Sequence, residues 1–174
     1  MITAPSYIEP KALEMNINIR LANYADASDA NIILDQLNAY AQDPMGGGSP
    51  LKEEVRENLI SSLHKIPGAF SLIAFVDNEP AGFANCFQGF STFKCKPLIN
   101  IHDFAVLERF RGMKLSQRLL EKVEDIARER GCCKVTLEVL AGNTAAKKAY
   151  LNFGFSDYEL DPASGSALFW EKPL

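Results

Sequence analysis

Residues 98–155 decide the fold, and they read LINIHDFAVLERFRGMKLSQRLLEKVEDIARERGCCKVTLEVLAGNTAAKKAYLNFGF. The apolar run Leu98–Leu107 predicts a strand that other elements cover on both faces. A charged turn, Glu108–Gly112, follows this strand and leads into an amphipathic helix. Residues Arg111–Ser116 therefore present backbone amides at a helix N-terminus, which is a place where an anionic ligand can bind.

The helix after the turn carries one apolar stripe at helical spacing. The stripe consists of Leu115, Leu119, Val123, Ile126 and Ala127. Gly131 ends the helix, and the alternation of apolar and polar residues over 135–139 predicts a second strand with one polar edge. A strand–helix–strand unit with a short connection makes the strands parallel and the crossover right-handed. The helix N-terminus then lies beside the carboxyl end of the first strand, where α/β sheets bind ligands.

A shorter helix completes the stretch and predicts a second local feature. Asn143 or Thr144 caps its N-terminus, because both side chains can accept a hydrogen bond from a free backbone amide. The helix carries Tyr150, and Gly154 ends it.

Elements on both sides of this unit complete one predicted domain, residues 16–174, which follows a loose N-terminal arm, residues 1–15. Before the unit we predict a strand with Ile17, Ile19 and Leu21, a helix capped by Asp26 or Ser28, a helix over Leu51–Lys65, and a hairpin of Ala69–Val76 with Ala81–Phe90. After the unit we predict two short strands, Ser156–Leu160 and Ala167–Glu171.

The composition argues against several classes of protein. The 174 residues carry a net charge of -4, which disfavours a phosphate-backbone partner such as nucleic acid. No apolar run approaches the roughly 20 residues that cross a bilayer, so we expect neither a membrane span nor a secretion leader. The four cysteines lack metal-ligand spacing. We therefore expect no metal site, and free thiols in a reducing cytoplasm.

Two motifs in this chain resemble those of the GNAT superfamily of N-acetyltransferases. The first motif lies at the start of the long helix. It consists of Arg or Gln, two residues of any type, Gly, one residue of any type, and then Gly or Ala. It falls on Arg111–Ser116, where Arg111 matches while Lys114 and Ser116 depart from the pattern. The second, an Asn followed by small residues, a Tyr and Gly-Phe, is matched by Asn143, Ala145, Ala146, Tyr150, Gly154 and Phe155. The resemblance covers residues 16–173 and is strongest over residues 98–155.

The resemblance implies a fold that contains both helices and strands (α/β, or α+β with a mixed sheet). Its central sheet has about seven strands, mostly antiparallel with one splayed parallel pair, and helices flank it. The resemblance also implies acetyl-coenzyme A as the cofactor, and the family often forms homodimers.

The family pattern assigns the cofactor contacts. The pantetheine arm lies along Phe104, Ala105 and Val106, and the other contacts come from Arg111, Gly112, Met113, Lys114, Leu115, Ser116, Gln117, Asn143, Ala145, Ala146 and Tyr150. Main-chain amides bind the pyrophosphate, so glycine is preferred there for close approach. Lys114 can keep its amide and turn its side chain away, or it can add a cation to the phosphates.

The implied reaction is direct attack of a neutral primary amine on the thioester through a tetrahedral intermediate, whose oxyanion a main-chain amide stabilises. Tyr150 hydrogen-bonds the departing sulfur. Because tyrosine has a pKa of ~10 and a thiol of ~8.5, complete proton transfer is slightly uphill. The base that deprotonates the amine is Glu138, His102 or Asp103, or a water relay serves instead. Strand alternation places His102 and Asp103 on opposite faces unless a bulge intervenes.

We therefore predict an acetyltransferase that acts on the primary amine of a small molecule. Residues 85–103 resemble diamine N-acetyltransferases in particular, although those have an acidic residue where this chain has His102. The alternative is a coenzyme A-binding regulatory or interaction module without catalysis, which His102 and Lys114 favour.

Overall fold

The computed structural model describes residues 15–158, 163, 165 and 167–174. Its strands are β1 (Ile17–Leu21), β2 (Phe70–Val76), β3 (Glu79–Ser91), β4 (Lys96–Val106) and β5 (Val135–Leu137). Its helices are α1 (Ala27–Gln42), α2 (Glu53–Leu63), α3 (Leu115–Glu129) and α4 (Thr144–Phe153), and a short 3₁₀ turn covers Glu108–Phe110. The predicted arm, residues 1–15, lies outside the described residues except for Met15.

The strands form one sheet in the order β1-β2-β3-β4-β5. The first four strands pair antiparallel, and β5 pairs parallel with β4. The predicted hairpin is confirmed as β2 and β3, which turn at Asp77 and Asn78 with φ of 50° and 67°. Two consecutive positive φ angles define the turn whose twist suits a two-residue hairpin, and Asp and Asn tolerate them well.

Helices cover both faces of the sheet. The apolar stripe of α3 packs on the face that carries Leu72, Ala84 and Ile99. Residues Ile73 and Phe83 alternate with these along the strands, so they point to the other face, where α1 contacts β2, β3 and β4. The sheet is thus buried between α3 on one side and α1 on the other.

A bulge in β4 changes which of its residues share a face. Asn85 pairs with Asp103, but its neighbour Cys86 pairs with Ile101, so His102 is an extra residue opposite the same stretch of β3. Ile101 and Phe104 therefore both contact the α3-side core. Asp103 points to the α1 side beside Asn85.

The parallel pair is splayed, as the resemblance implies. Pairing between β4 and β5 covers only Ile99–Ile101 with Val135–Leu137. β4 continues to Val106, whereas β5 ends at Leu137, so the edge of β4 beyond Ile101 is free of β5. A gap between the two strands opens at the carboxyl end of β4, beside the start of α3.

The mixed sheet flanked by helices confirms the predicted fold class, with five strands in the described residues rather than about seven. Residues 156–158 and 167–171 form no strand, although one backbone hydrogen bond of 3.1 Å joins Ala167 N to Tyr158 O. The last two residues of the predicted strand Ser156–Leu160 lie outside the described residues.

Among the described residues, no helix is long and apolar enough to span a membrane.

Candidate active site

A cavity of about 300 Å³ opens at the splay of the parallel pair. Its wall consists of Tyr40, Asp43, Met45, Phe104, Ala105, Val106, Phe110, Arg111, Gly112, Lys114, Leu115, Ser116, Asn143, Ala145, Ala146, Ala149 and Tyr150. The end of β4, the start of α3, the start of α4 and the end of α1 thus enclose one space. Twelve of the fourteen predicted cofactor residues line it; Met113 and Gln117 do not.

The two exceptions have other contacts. Met113 packs against the small apolar cluster that contains Ala81 and Phe110. Gln117 Nε2 donates to Glu121 Oε1 at 2.9 Å on the exposed side of α3. The helix period explains the second exception, because Gln117 points away from the side of α3 that faces the cavity.

The turn before α3 exposes the amides that the sequence predicts. Gly112 has a φ of 85°, a conformation that favours glycine, and a Cβ built there meets nothing within 4 Å. Lys114 is the N-cap residue of α3, but no side-chain hydrogen bond caps the helix. The first amides of α3 are therefore free of a side-chain cap and lie at the positive end of the helix dipole.

Lys114 adopts a left-handed conformation, with φ 59° and ψ 19°. The sequence pattern of the family prefers a small residue at the start of this helix, and the backbone shows the reason, because a Cβ is strained there. Lys114 keeps its backbone amide and lines the cavity with an exposed side chain.

Tyr150 lies on α4 and is buried against aromatic neighbours. Its ring makes edge contacts with Phe104 at 6.0 Å and Phe155 at 5.8 Å between centroids. Burial, and then the nearby Tyr40, raise the pKa of Tyr150 to about 12. The phenol is therefore a neutral hydrogen-bond donor at physiological pH, held by its packing in the cavity wall.

Asn143 caps α4, as one of the two predicted alternatives. Its Oδ1 accepts a hydrogen bond of 3.1 Å from Ala146 N, so its side chain fixes the start of the helix that carries Tyr150. Gly154 ends that helix with a φ of 107°.

Three cavity residues near the end of α1 were absent from the predicted site. Tyr40, Asp43 and Met45 line the cavity together with Phe110 and Ala149, which were also not predicted. In the sequence, Tyr40 is one apolar residue of the helix that Asp26 or Ser28 is predicted to cap, and Asp43 precedes Pro44, which ends that helix. No local spacing connects them to residues so much later in the chain, so only the tertiary fold brings them to the site.

The three candidate bases have different surroundings. His102 occupies the bulge and is exposed, with its ring edge-on to Phe87 at a centroid distance of 5.5 Å. Glu138 lies just beyond β5 and is also exposed. Its carboxylate accepts hydrogen bonds from Asn100 Nδ2 at 3.2 and 3.3 Å.

Asp103 is half-buried on the α1 face, one residue before the cavity wall begins at Phe104. Its Oδ2 accepts a hydrogen bond of 2.9 Å from Asn85 Nδ2. Burial raises the pKa of Tyr40, and the charges of Asp103 and Asp43 raise it further. Asp103 therefore acts electrostatically on the same tyrosine that influences Tyr150.

None of the three candidate bases lines the cavity itself. The site thus divides into a cavity on the α3 and α4 side and polar groups on the neighbouring part of the sheet. Within the described part of the chain, no group of three or more His, Cys, Asp or Glu residues could hold a metal ion.

The cavity residues fit coenzyme A. A free helix N-terminus beside an open glycine suits a pyrophosphate, because amides donate to its oxygens and no side chain blocks the approach. The unpaired edge of β4 at Phe104–Val106 offers main-chain groups to an amide-containing arm such as pantetheine. Small and apolar residues of α4, Ala145, Ala146, Ala149 and Tyr150, line the same cavity.

These features define a protein of the acyl-coenzyme A-binding class, with a mixed sheet that splays beside a helix N-terminus. Residues 34–155 match the model of the Acetyltransferase (GNAT) family. This match covers more than half of the chain, and the chain belongs to that family, whose cofactor is acetyl-coenzyme A.

Several known proteins are similar to this chain. An uncharacterized N-acetyltransferase of Archaeoglobus fulgidus is 35% identical over 80 residues, which are 45% of this chain and 54% of that protein. The thialysine N-epsilon-acetyltransferase of Caenorhabditis elegans is 26% identical over 104 residues, 56% of this chain and 64% of that protein. The matched part thus spans less than two thirds of each relative.

Solved structures share the fold. The aminoglycoside N-acetyltransferase AAC(6')-Iy in complex with CoA superposes with a TM-score of 0.70 at 17% identity, over 94% of this chain and 99% of that one. At this level of identity the likeness concerns the fold alone.

Proposed function

We propose that the protein transfers an acetyl group from acetyl-coenzyme A to the primary amine of a small molecule. One observation carries the proposal: the unpaired end of β4, the uncapped start of α3 and the buried Tyr150 line a single cavity. Family membership supports the same reaction. The relative that acetylates thialysine supports an amine acceptor.

The residues of the cavity bind and orient the cofactor. Amides at the start of α3 donate to its phosphates, and Arg111 adds a cation beside them. Main-chain groups of Phe104–Val106 hold the pantetheine arm. Acetyl-coenzyme A supplies a thioester, whose carbonyl carbon bonds to the amine nitrogen while its carbon–sulfur bond breaks.

Tyr150 stabilises the departing sulfur by donating a hydrogen bond. A pKa of about 12 makes the phenol a far weaker acid than a thiol of pKa ~8.5. Full transfer of the Tyr150 proton to the thiolate is therefore strongly uphill. The raised pKa supports a hydrogen-bond role for this residue more than a discrete proton donation, and solvent then protonates the released thiolate.

Asp103 accepts the proton that the substrate ammonium loses before attack, and the nitrogen loses its second proton to solvent as the tetrahedral intermediate collapses to the amide. It is half-buried, a hydrogen bond fixes one of its oxygens, and it immediately precedes the pantetheine residues. His102 is displaced outward by the bulge and Glu138 is exposed on a separate strand end, so both are weaker candidates. The proton leaves Asp103 to solvent after each transfer.

The test is release of free thiol from acetyl-coenzyme A in the presence of an amine panel that includes thialysine, diamines and aminoglycosides. Turnover with one class, lowered about 100-fold in kcat by Tyr150→Phe, is the expected result. Tight cofactor binding without turnover for any amine would overturn the proposal.

A coenzyme A-binding module without catalysis is the second candidate. The strained Lys114 at the start of α3 and the exposed His102, where diamine acetyltransferases have an acid, favour it. Calorimetric binding of coenzyme A, combined with thiol release that stays at the uncatalysed rate in the wild type and in Tyr150→Phe, would support this alternative.

A further inference from the structure

Four polar side chains form a continuous row of hydrogen bonds under α1. Tyr24 OH lies 2.8 Å from Ser71 Oγ, and Ser71 Oγ donates to Asn85 Oδ1 at 2.6 Å. Asn85 Nδ2 then donates to Asp103 Oδ2 at 2.9 Å. We refer to Tyr24, Ser71, Asn85 and Asp103 as the polar row.

The strand register builds this row. Ser71 on β2 pairs with Asn85 on β3, and Asn85 pairs with Asp103 on β4. The three side chains therefore stand side by side on one face of the sheet. The bulge at His102 is required for this arrangement, because it brings Asp103 opposite Asn85.

The hydrogen bonds of the polar row all point toward Asp103. The hydroxyl of Ser71 has one proton, which it gives to Asn85, so it accepts from Tyr24. Burial raises the pKa of Tyr24, which keeps this phenol a donor. A reversed Asn85 amide would place its carbonyl oxygen against the carboxylate of Asp103, so the orientation of the amide is fixed by its partners.

The core around the polar row gives these groups little access to water. Ser71 is 0% exposed and Asn85 is 2% exposed, and their sheet neighbours Ile73 and Phe83 are fully buried. A buried amide costs free energy that only its hydrogen bonds offset, and apolar residues at these positions would avoid that cost. The row is therefore an arrangement that packing alone does not require.

We propose that Asn85 is a positioning residue that fixes the carboxylate of Asp103 for the acceptor amine. This inference rests on the proposed function. Asn85 occupies Oδ2, and Asp103 accepts no other side-chain hydrogen bond from the described residues, so Oδ1 is available to the substrate ammonium. Ser71 fixes the Asn85 amide through its hydrogen bond to Oδ1, and Tyr24 in turn fixes the hydroxyl of Ser71.

The polar row orients Asp103 and does not carry its proton away. An amide has no site that exchanges a proton readily at neutral pH, so Asn85 interrupts any relay between Asp103 and Ser71. The proton of the amine therefore leaves Asp103 on the side of the acceptor, not through the core.

The experiment compares Asn85→Ala with Asn100→Ala. The first substitution removes the amide that donates to Asp103, and the second, the matched control, removes the amide that donates to Glu138. Asn85→Ala is expected to lower kcat/KM for the amine about 10- to 100-fold, as loss of correct positioning does, while KM for acetyl-coenzyme A changes less than about twofold. Asn100→Ala is expected to lower kcat/KM for the amine much less. The reverse order would assign the role to Glu138 and overturn the inference.

A double-mutant cycle separates positioning from loss of structure. If Asn85 acts through Asp103, Asn85→Ala has little further effect on kcat in an Asp103→Asn background. Additive effects of the two substitutions would overturn the inference. Thermal unfolding and coenzyme A binding verify that each variant is folded.

Milder variants keep the test decisive if Asn85→Ala does not fold. Ser71→Ala and Tyr24→Phe leave Asn85 in place, and graded losses of kcat/KM, larger for Ser71→Ala, are expected. Unchanged kinetics in both variants would overturn the inference. Absence of turnover in the wild-type protein, by contrast, contradicts the proposed function itself.

Discussion

Arg111 Nη2 lies 3.4 Å from Asp43 Oδ2, although 68 residues separate them in the chain. The contact joins the turn before α3 to the residue that follows α1, and both residues line the cavity. Arg111 Nε also donates to Val106 O at 3.4 Å. Asp43 therefore helps to fix the position of Arg111, the arginine of the family motif. It also places a negative charge beside the proposed anion site.

This geometry predicts opposite effects for the two partners. Asp43→Asn removes a negative charge near the phosphates and is expected to tighten coenzyme A binding about two- to fivefold, because a solvent-accessible charge contributes up to about 1 kcal/mol. Arg111→Ala is expected to weaken binding about tenfold. Calorimetry at low and high salt measures both effects, which should diminish as salt increases.

Asp35→Asn is the matched control for Asp43→Asn. Arg56 Nη2 and Asp35 Oδ1 also lie 3.4 Å apart, but these residues do not line the cavity. Coenzyme A affinity should therefore be unaffected in this variant. Equal effects of the two substitutions would show that overall charge, not the position of Asp43, determines binding.

Replacing Lys114 with glycine is expected to stabilise the protein, because Lys114 has a left-handed backbone conformation. A non-glycine residue in the left-handed region costs about 1–2 kcal/mol, while glycine loses about 0.5–1 kcal/mol through the entropy of the unfolded chain. Lys114→Gly is thus expected to raise the free energy of unfolding by up to about 1 kcal/mol. Urea denaturation measures it.

Lys114→Ala serves as the control, because it removes the charge and retains the strained backbone. No gain in stability is expected from it. If Lys114→Ala and Lys114→Gly stabilise the protein equally, the side chain and not the backbone conformation is the source of the cost.

Local patterns predicted the elements around the cofactor well. The stripe from Leu115 to Ala127, a cap at Asn143 or Thr144, and the glycine stop at Gly154 depend on neighbours within a few turns, so the sequence alone predicts them. The same holds for the hairpin of β2 and β3. The resemblance to the family, and not these local patterns, assigned the cofactor residues, and twelve of them line the cavity.

Long-range features were not predictable in the same way. The bulge at His102 depends on the register with β3, and the placement of Tyr40 depends on how α1 crosses the sheet. Asn85 and Ser71 read as single polar residues inside apolar strands. Only the pairing of three strands shows that they form one row with Asp103.

A second substitution that is expected to stabilise the protein is Gln36→Met. The side chain of Gln36 is buried, and neither Nε2 nor Oε1 has a hydrogen-bond partner among the described residues. An unsatisfied buried polar group costs about 1–3 kcal/mol. Gln36→Met keeps the volume and removes the polar atoms, so it is expected to raise the free energy of unfolding by about 1 kcal/mol or more.

Gln42→Met is the control on the same helix. Gln42 is exposed and its Nε2 donates to Asn38 O at 3.1 Å, so its replacement should change stability little. A loss of stability in Gln36→Met would show that the amide is satisfied in solution, by bound water for example.

Alkaline pH should destabilise the protein through Tyr150 and Cys86. Burial raises the pKa of Cys86 from 9.0 to about 12, and burial with Tyr40 raises that of Tyr150 from 10.0 to about 12. Both folded pKa values exceed the unfolded ones, so the stabilisation is fully present below about pH 9 and is lost as pH rises toward 12. The free energy of unfolding should therefore fall progressively over this range.

Urea denaturation at several pH values between about 8 and about 11.5 tests this dependence. Tyr150→Phe removes one of the groups whose pKa burial raises, a set that also includes Tyr24 and Tyr40, and should make the decline shallower above about pH 10. Tyr158→Phe, at an exposed position, should leave the slope as it is. A decline of equal steepness in the wild type and in Tyr150→Phe would contradict the burial of this phenol in its neutral form, and with it the hydrogen-bond role proposed for Tyr150 at the departing sulfur.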